Sequence, residues 1–187
     1  MRIIGGKYRG RVLKEFAGKD VRPTSDRARE SLFNILQRKI PGCTFLDLFT
    51  GTGGVGIEAL SRGAEEVCFV DASKESVALC KANLALVKET ATVLHADFLE
   101  ALRRFSASGK VFDVVFLDPP YALSAGKVAL SYLNESNLLA PDAVVVYEHA
   151  AAEVLTFSNL EHYDRRKYGV AQFDFYRPIS GGQDEMG

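Results

Sequence analysis

The sequence predicts an α/β fold built on a doubly wound, seven-stranded, mostly parallel sheet. Three observations carry that prediction. Five short apolar runs between Thr44 and Glu148 alternate with amphipathic stretches, the mark of a parallel sheet with helices on both faces. The segments 162–168 and 171–177 alternate apolar and polar residues instead, the pattern of half-exposed antiparallel strands completing an edge. A glycine-rich turn, Thr50 to Gly56, follows the first apolar run, at the end of a strand where open α/β sheets bind ligands.

At 187 residues and 47% hydrophobic content, one core-bearing domain is the default, with room for a small appendage. The division read here is a basic arm or hairpin (1–22), a main domain (23–179) and a disordered polar tail (180–187). No stretch has the length of a membrane span, and the first residues lack the apolar run of a leader. Cys43, Cys68 and Cys80 are scattered and form no Cys-x-x-Cys pair. They predict small core residues in a reducing cytoplasm, with no metal site. The net charge of −1 hides a split: residues 1–40 hold 11 Lys/Arg against 4 Asp/Glu, the remainder 12 against 20. A basic end of that kind suits a polyanion, although a solvated surface has the same composition.

Taken in order, Arg2, Lys7, Arg9, Arg11 and Arg22 stand among glycines, with Tyr8 between them. The pattern predicts a short hairpin that leans on the main domain or on a partner, its cations on phosphates and Tyr8 on a base. Thr24 and Ser25 are capping hydroxyls ahead of a helix. Its buried stripe is Ala28, Leu32, Ile35 and Leu36, with Arg27, Arg29, Arg38 and Lys39 outward. The first strand runs into Asp47, the second ends at Asp71 and the third is followed by Asp97. Ser73 caps a helix with Val77, Cys80, Leu84 and Val87 inward, and Asn83 is a surface or capping residue. Phe98, Leu102 and Phe105 mark a further helix. The fourth strand runs into Asp118. A helix follows near 125–133, then a fifth strand over 143–148, then a helical turn near 150–154. His149 reads as a satisfied histidine on the rim.

Four acids at the ends of four successive strands, beside a glycine turn, predict a cofactor pocket. Gly51, Gly53 and Gly56 have the spacing of a dinucleotide turn, and Asp71 lies 20 residues beyond Gly51, placed for ribose hydroxyls. Such glycines let backbone approach a ligand, and the helix behind them favours an anionic group. The set fits a nicotinamide dinucleotide and S-adenosylmethionine alike. Two details favour the latter: Asp47 is placed for the methionine ammonium, and Asp97 with Phe98 for adenine. Asp97 is equally placed to cap the next helix. Phe49 and Ala72 adjoin these carboxylates, so the predicted cofactor set is Asp47, Phe49, Gly51, Gly53, Gly56, Asp71, Ala72, Asp97, Phe98 and Asp118.

Asp118-Pro119-Pro120-Tyr121 closes the fourth strand with two residues that cannot donate a ladder hydrogen bond. The stiff loop offers a carboxylate, the Pro119 carbonyl and an aromatic plate. Taken alone it is also an ordinary tight turn. Together with the rim, it suits a planar group bearing an amine.

These residues resemble a known family. The segment from Asp47 through Gly51, Gly53 and Gly56 to Ala64, with Asp118-Pro119-Pro120-Tyr121, is similar to class I methyltransferases acting on amino nitrogens. Arg2-Ile3-Ile4-Gly5-Gly6-Lys7-Tyr8-Arg9-Gly10-Arg11 and the stretch from Arg22 to Phe33 look like the bacterial RsmD family. The likeness extends to about Arg177. It implies a Rossmann-like methyltransferase sheet and S-adenosylmethionine as cofactor. The implied substrate is the N2 amine of one guanine in 16S rRNA, within an assembled or assembling small ribosomal subunit. It implies a cytoplasmic monomer with no metal and no membrane partner. Asp118, Pro119, Pro120 and Tyr121 would serve the target amine, and Arg2, Lys7, Tyr8, Arg9, Arg11, Arg22 and Arg27 the RNA. An adenine-N6 methyltransferase is the alternative. A non-catalytic RNA-binding assembly factor and a nicotinamide oxidoreductase rank below it.

Overall fold

A computed structural model describes residues 1–17, 24–120 and 123–180. Tyr121, Arg22 and nearly all of the polar tail lie outside the described residues. The elements, in chain order, are α1 (Asp26–Leu36), β1 (Thr44–Asp47), α2 (Gly54–Ser61), β2 (Glu66–Asp71), α3 (Lys74–Leu86), β3 (Thr92–His95), α4 (Phe98–Ala107), β4 (Phe112–Leu117), α5 (Leu123–Glu135), β5 (Leu139–His149), β6 (Leu160–Tyr168) and β7 (Ala171–Pro178). They form one seven-stranded sheet in the order β3-β2-β1-β4-β5-β7-β6. The first five strands pair in parallel; β7 is antiparallel to both β5 and β6.

The parallel strands are buried on both faces, as runs such as Phe112–Leu117 require. One face packs Phe33, Phe45, Ile57, Phe69, Phe116, Phe173 and Phe175 against α1, α2 and α3. The other packs Leu48, Leu102, Phe105, Val115, Leu130 and Tyr176 beneath α4 and α5. All three cysteines are buried and free. Burial pushes the Cys43 and Cys80 thiols up to about 12 and the Cys68 thiol up to about 11, so they remain protonated core residues.

The N-terminal hairpin is part of this core. Ile3 N donates to Arg11 O at 2.9 Å and Leu13 N to Met1 O at 2.8 Å, while Ile3 and Leu13 are buried in the α1–α2 layer. Ser61 clasps it from α2, donating to Gly5 O at 2.6 Å and accepting from Tyr8 N at 3.0 Å.

Several local expectations change. Ser25 caps α1, accepting from Ala28 N, whereas Thr24 points to β5. Ile35 is exposed and Phe33 takes its place in the core, while Arg29 is turned inward and 1% exposed. Its partners are Glu58 and Asp26, so helical periodicity misassigned a residue whose charge is met by a buried acid. Asn83 is buried, donating to Thr52 O at 2.8 Å and Lys14 O at 3.0 Å. Residues 150–154 form no helix; β5 runs on to His149 and an irregular connection follows.

Candidate active site

The direction of winding reverses between β1 and β4, which opens a crevice at the carboxyl ends of those strands. Asp47 ends β1, Asp118 directly follows β4, and Glu148 lies at the end of β5. Asp71 ends β2, and Asp97 stands two residues beyond β3.

The glycine turn is held from inside. Asp47 is 1% exposed, and its Oδ2 accepts from Thr50 Oγ1 at 2.7 Å and Gly56 N at 3.0 Å. Burial is the main cause that lifts its carboxyl to about 6, against the pull of those two hydrogen bonds. Asp47 Oδ2 thus clamps the turn from inside. The amino end of α2 is likewise occupied, since Gly56 N goes to Asp47 and Gly54 N to Thr52 Oγ1. The glycines differ in reason as well. A Cβ at Gly53 would approach Cys80 Sγ at 2.9 Å, with φ at +86°, and one at Gly56 would strike the Phe69 ring at 2.2 Å. Those two are demanded by packing. At Gly51, with φ at +54°, a Cβ would only touch the Phe16 ring, at 3.9 Å, so it is the backbone conformation and not packing that asks for glycine there.

Around that turn stand the groups expected for a cofactor. Asp71 accepts from Gly51 N through Oδ2 and from Ser73 N through Oδ1, both at 2.9 Å. Each oxygen keeps a second lone pair for a ligand hydroxyl. Asp97 caps α4, accepting from Leu99 N at 3.0 Å, and is exposed. The Phe49 and Phe98 rings lie 5.2 Å apart and both are half-buried, making an aromatic wall beside Asp97. Phe49 holds φ at +146°, a strained value for a residue with a Cβ. Ala72 is exposed, and its carbonyl meets His95 Nε2 at 3.0 Å. The Gly51 turn, the acceptor at Asp71 and the aromatic wall fit the polar sugar and flat base of an adenosyl group.

The amine side of the crevice rests on a carboxyl pair. Asp118 and Glu148 follow the paired residues Leu117 and Tyr147 on adjacent parallel strands and so stand side by side at the rim. Thr24 Oγ1 donates to Glu148 Oε2 at 2.6 Å. Burial, then the Glu148 charge, raises Asp118 well above the ordinary carboxylate range. Burial also raises Glu148, while the hydrogen bonds from Thr24 and Asp118 oppose that rise. The two carboxyls therefore titrate as a pair, above the range of free carboxylates. Pro119 is half-buried and Pro120 exposed. Tyr121, the predicted aromatic plate, falls outside the described residues.

The predicted RNA contacts divide. Arg2, Lys7, Arg9, Arg11 and Arg27 are all exposed, and three of them are also tied to other residues of the chain. Arg2 donates to Gly10 O, Arg11 to Leu86 O, and Lys7 pairs with Glu89 at 2.9 Å. Tyr8 donates its hydroxyl to the same Glu89 and lies under the Lys7 ammonium, so its ring is tied to the domain. Arg22 lies outside the described residues.

Sequence reading passed over three acids, Glu58 and Asp174 buried and Glu148 half-buried. Glu148 obeys the rule applied to the other strand ends, and extending that rule to the fifth strand would have found it. Glu58, on α2, and Asp174, on β7, leave no local signal, because their partners come from distant segments. Asp174 accepts from His162 Nε2 at 2.8 Å and from Arg165 Nε at 2.7 Å, and also from His149 Nε2. His149 stacks on Tyr147 at 4.3 Å and accepts from Ala151 N, so it is the satisfied histidine expected. A cleft of about 470 Å³ on the opposite rim is lined by Lys7, Glu65, Glu66, Glu89 and Thr90, away from the strand-end carboxylates.

Comparison with known proteins gives this geometry a family. The model of the family described as conserved hypothetical protein 95 matches residues 1–177. Ribosomal RNA small subunit methyltransferase D of Haemophilus influenzae is 36% identical over 181 residues, covering 95% of this chain and 93% of that protein. Its counterpart in Escherichia coli is 34% identical over 149 residues, covering 79% and 74%. A solved structure of a Thermus thermophilus protein superposes with a TM-score of 0.82 at 34% identity, covering 94% of this chain and 98% of that one. A second, from Escherichia coli, superposes with a TM-score of 0.86 at 30% identity, covering 97% and 99%. With matches that run the length of both the hairpin and the sheet, this chain belongs to the RsmD family of methyltransferases.

Proposed function

We propose that this protein transfers a methyl group from S-adenosylmethionine to the exocyclic N2 of a guanine in 16S rRNA. The observation that carries the reading is the Asp118–Glu148 pair at the switch point, on the same rim as Asp71, Gly51, Phe49 and Phe98. Kinship with proteins named ribosomal RNA small subunit methyltransferase D supports the choice of RNA.

In this reading Asp71 takes the ribose hydroxyls, with Ala72 and Gly51 beside it. Asp97 accepts the adenine amine, with Phe98 and Phe49 against the ring. Asp47 acts from within, keeping the turn through Gly53 and Gly56 in shape. S-adenosylmethionine supplies the methyl on a sulfonium, already activated as an electrophile. The amine, whose lone pair is delocalised, is the poorer partner, so the protein's task is positioning and charge placement. Asp118 and the Pro119 carbonyl accept the two amine hydrogens, and Pro120 stiffens the loop. The flipped base stacks on Tyr121, which offsets about 1–3 kcal/mol of the cost of extrusion. As nitrogen gains its methyl carbon it must lose one proton, and Asp118 takes it. Its raised affinity for protons makes it a better base than an ordinary aspartate. Arg9 and Arg27 meet phosphates directly, Arg2, Lys7, Tyr8 and Arg11 extend the surface, and Arg22 is a further RNA residue assigned from sequence. The enzyme works as a cytoplasmic monomer on the assembled or assembling small subunit.

The test is methyl transfer to small subunits from cells lacking this protein, followed by digestion of the 16S rRNA and identification of the nucleoside. N2-methylguanosine is expected, and Asp118→Ala should abolish it while leaving cofactor affinity unchanged. N6-methyladenosine in its place would refute the reading.

A further inference from the structure

The Asp118–Glu148 pair has a consequence for which base is chosen. β4 and β5 lie side by side in parallel, with Leu117 opposite Tyr147, so the next residues, Asp118 and Glu148, emerge together at the rim. Two carboxyls side by side at adjacent strand ends form a paired acceptor when both are ionised. Thr24, just ahead of α1, holds Glu148 Oε2 at 2.6 Å and so fixes that side chain. Guanine presents a matching pair of donors on one edge, N1–H beside the N2 amine. Adenine presents the N6 amine beside N1, which carries a lone pair and no hydrogen.

We propose that Glu148 is a specificity residue: it accepts the N1–H of the target guanine while Asp118 accepts from N2, and so excludes bases with a bare N1. The inference rests on the guanine-N2 reading and adds the group that enforces it. A carboxylate engaged with the amine alone accepts from any aryl amine and does not tell guanine from adenine. The neighbouring carboxylate can, because an unprotonated N1 would set a lone pair against Glu148 in a half-buried site. The carboxyl pair also explains Thr24. A hydroxyl there keeps Glu148 aimed at the crevice when Asp118 turns from its neighbour to the substrate. The facing groups are Thr24 and Asp118 around Glu148, and Glu148 and Asp47 around Asp118.

The discriminating substrate is 2,6-diaminopurine, which keeps the 2-amino group and lacks the N1 hydrogen. The nucleotide methylated by the wild-type enzyme is first mapped. 16S rRNA is then ligated around a synthetic segment carrying guanine or diaminopurine at that position and assembled into subunits. Wild-type enzyme should favour guanine in kcat/KM by roughly 10- to 150-fold, the range for one hydrogen bond to a charged group. Filter binding of the same two particles should show a preference of the same sign. In Glu148→Gln the amide can accept from N1–H or donate to a bare N1, so both preferences should shrink to within about threefold. These are ratios for one enzyme preparation, so partial unfolding of the variant does not move them. Calorimetric binding of S-adenosylmethionine reports its folded fraction. Equal use of the two bases by wild-type enzyme, or an unchanged preference in Glu148→Gln, overturns the role of Glu148 and leaves the guanine-N2 reading standing. A wild-type product of N6-methyladenosine overturns both.

Discussion

Glu58→Gln tests whether a buried carboxylate on the helix behind the glycine turn pins the basic hairpin to the domain. Glu58 is fully buried. Its Oε1 accepts from Ile4 N at 2.8 Å and Arg29 Nε at 3.4 Å, and its Oε2 from Gly5 N at 3.2 Å and Arg62 Nε at 3.5 Å. Glutamine fills the same volume but offers one acceptor oxygen. Its amide would aim hydrogens at whichever pair of donors it faces. Two charge-assisted bonds at about 1.5–3 kcal/mol each are removed, in a site where breaking a buried pair costs about 3–5 kcal/mol. A loss of about 3–5 kcal/mol is therefore expected, a large part of the roughly 5–15 kcal/mol that holds a domain together. With a urea dependence of about 2–3 kcal/mol per molar, the unfolding midpoint should fall by about 1–2 M. Far-UV circular dichroism follows the transition, and the Ile4 and Gly5 amides should exchange faster with solvent than in the parent. Glu65→Gln, at an exposed position in the turn between α2 and β2, is the control and should change stability by no more than about 0.5 kcal/mol. A loss below about 1 kcal/mol in Glu58→Gln, or unaltered exchange at Ile4 and Gly5, would refute the reasoning.

The remaining predictions concern charge. Methyl transfer should fall as pH drops through the raised value of Asp118, above the ordinary carboxylate range near about 4, because the base must be deprotonated. A pH profile of kcat/KM locates the inflection, and Glu148→Gln should move it downward by removing a neighbouring charge. Neutralising Arg9 and Arg11 together should weaken RNA binding and flatten the slope of log Kd against log salt by about 0.7–0.9 for each phosphate no longer neutralised; unchanged cofactor affinity separates this from misfolding. Asp174→Asn should cost about 3–5 kcal/mol near neutral pH by leaving Arg165, His149 and His162 without their shared acceptor. Burial alone would raise Asp174, but those hydrogen bonds prevail and hold it well below the usual range. Its stabilisation is thus complete above about pH 4, the unfolded value, and disappears as pH falls through the folded one. Urea midpoints of the two proteins should converge only below about pH 4.

Much of the rim was legible in the chain itself. Alternating apolar runs and amphipathic stretches determined the sheet, its parallel part and its antiparallel edge. The glycine turn and the strand-end acids marked the candidate site at the carboxyl rim of the sheet. These are local signals, since period, turn chemistry and the end of a strand are all written within a few residues.

Tertiary structure decided what each acid does. Asp47 and Asp71 look alike in sequence, yet Asp47 faces inward to clamp Thr50 and Gly56 while Asp71 borders the turn at Gly51. Gly53 and Gly56 are required by Cys80 and Phe69, residues brought there by α3 and β2. Arg29 is buried because Glu58, 29 residues away, awaits it. Glu148 gains meaning only beside Asp118, and the register of β4 on β5 puts it there. The energy of a buried charge depends on which groups surround it, and those groups are assembled by folding from segments that no local pattern connects.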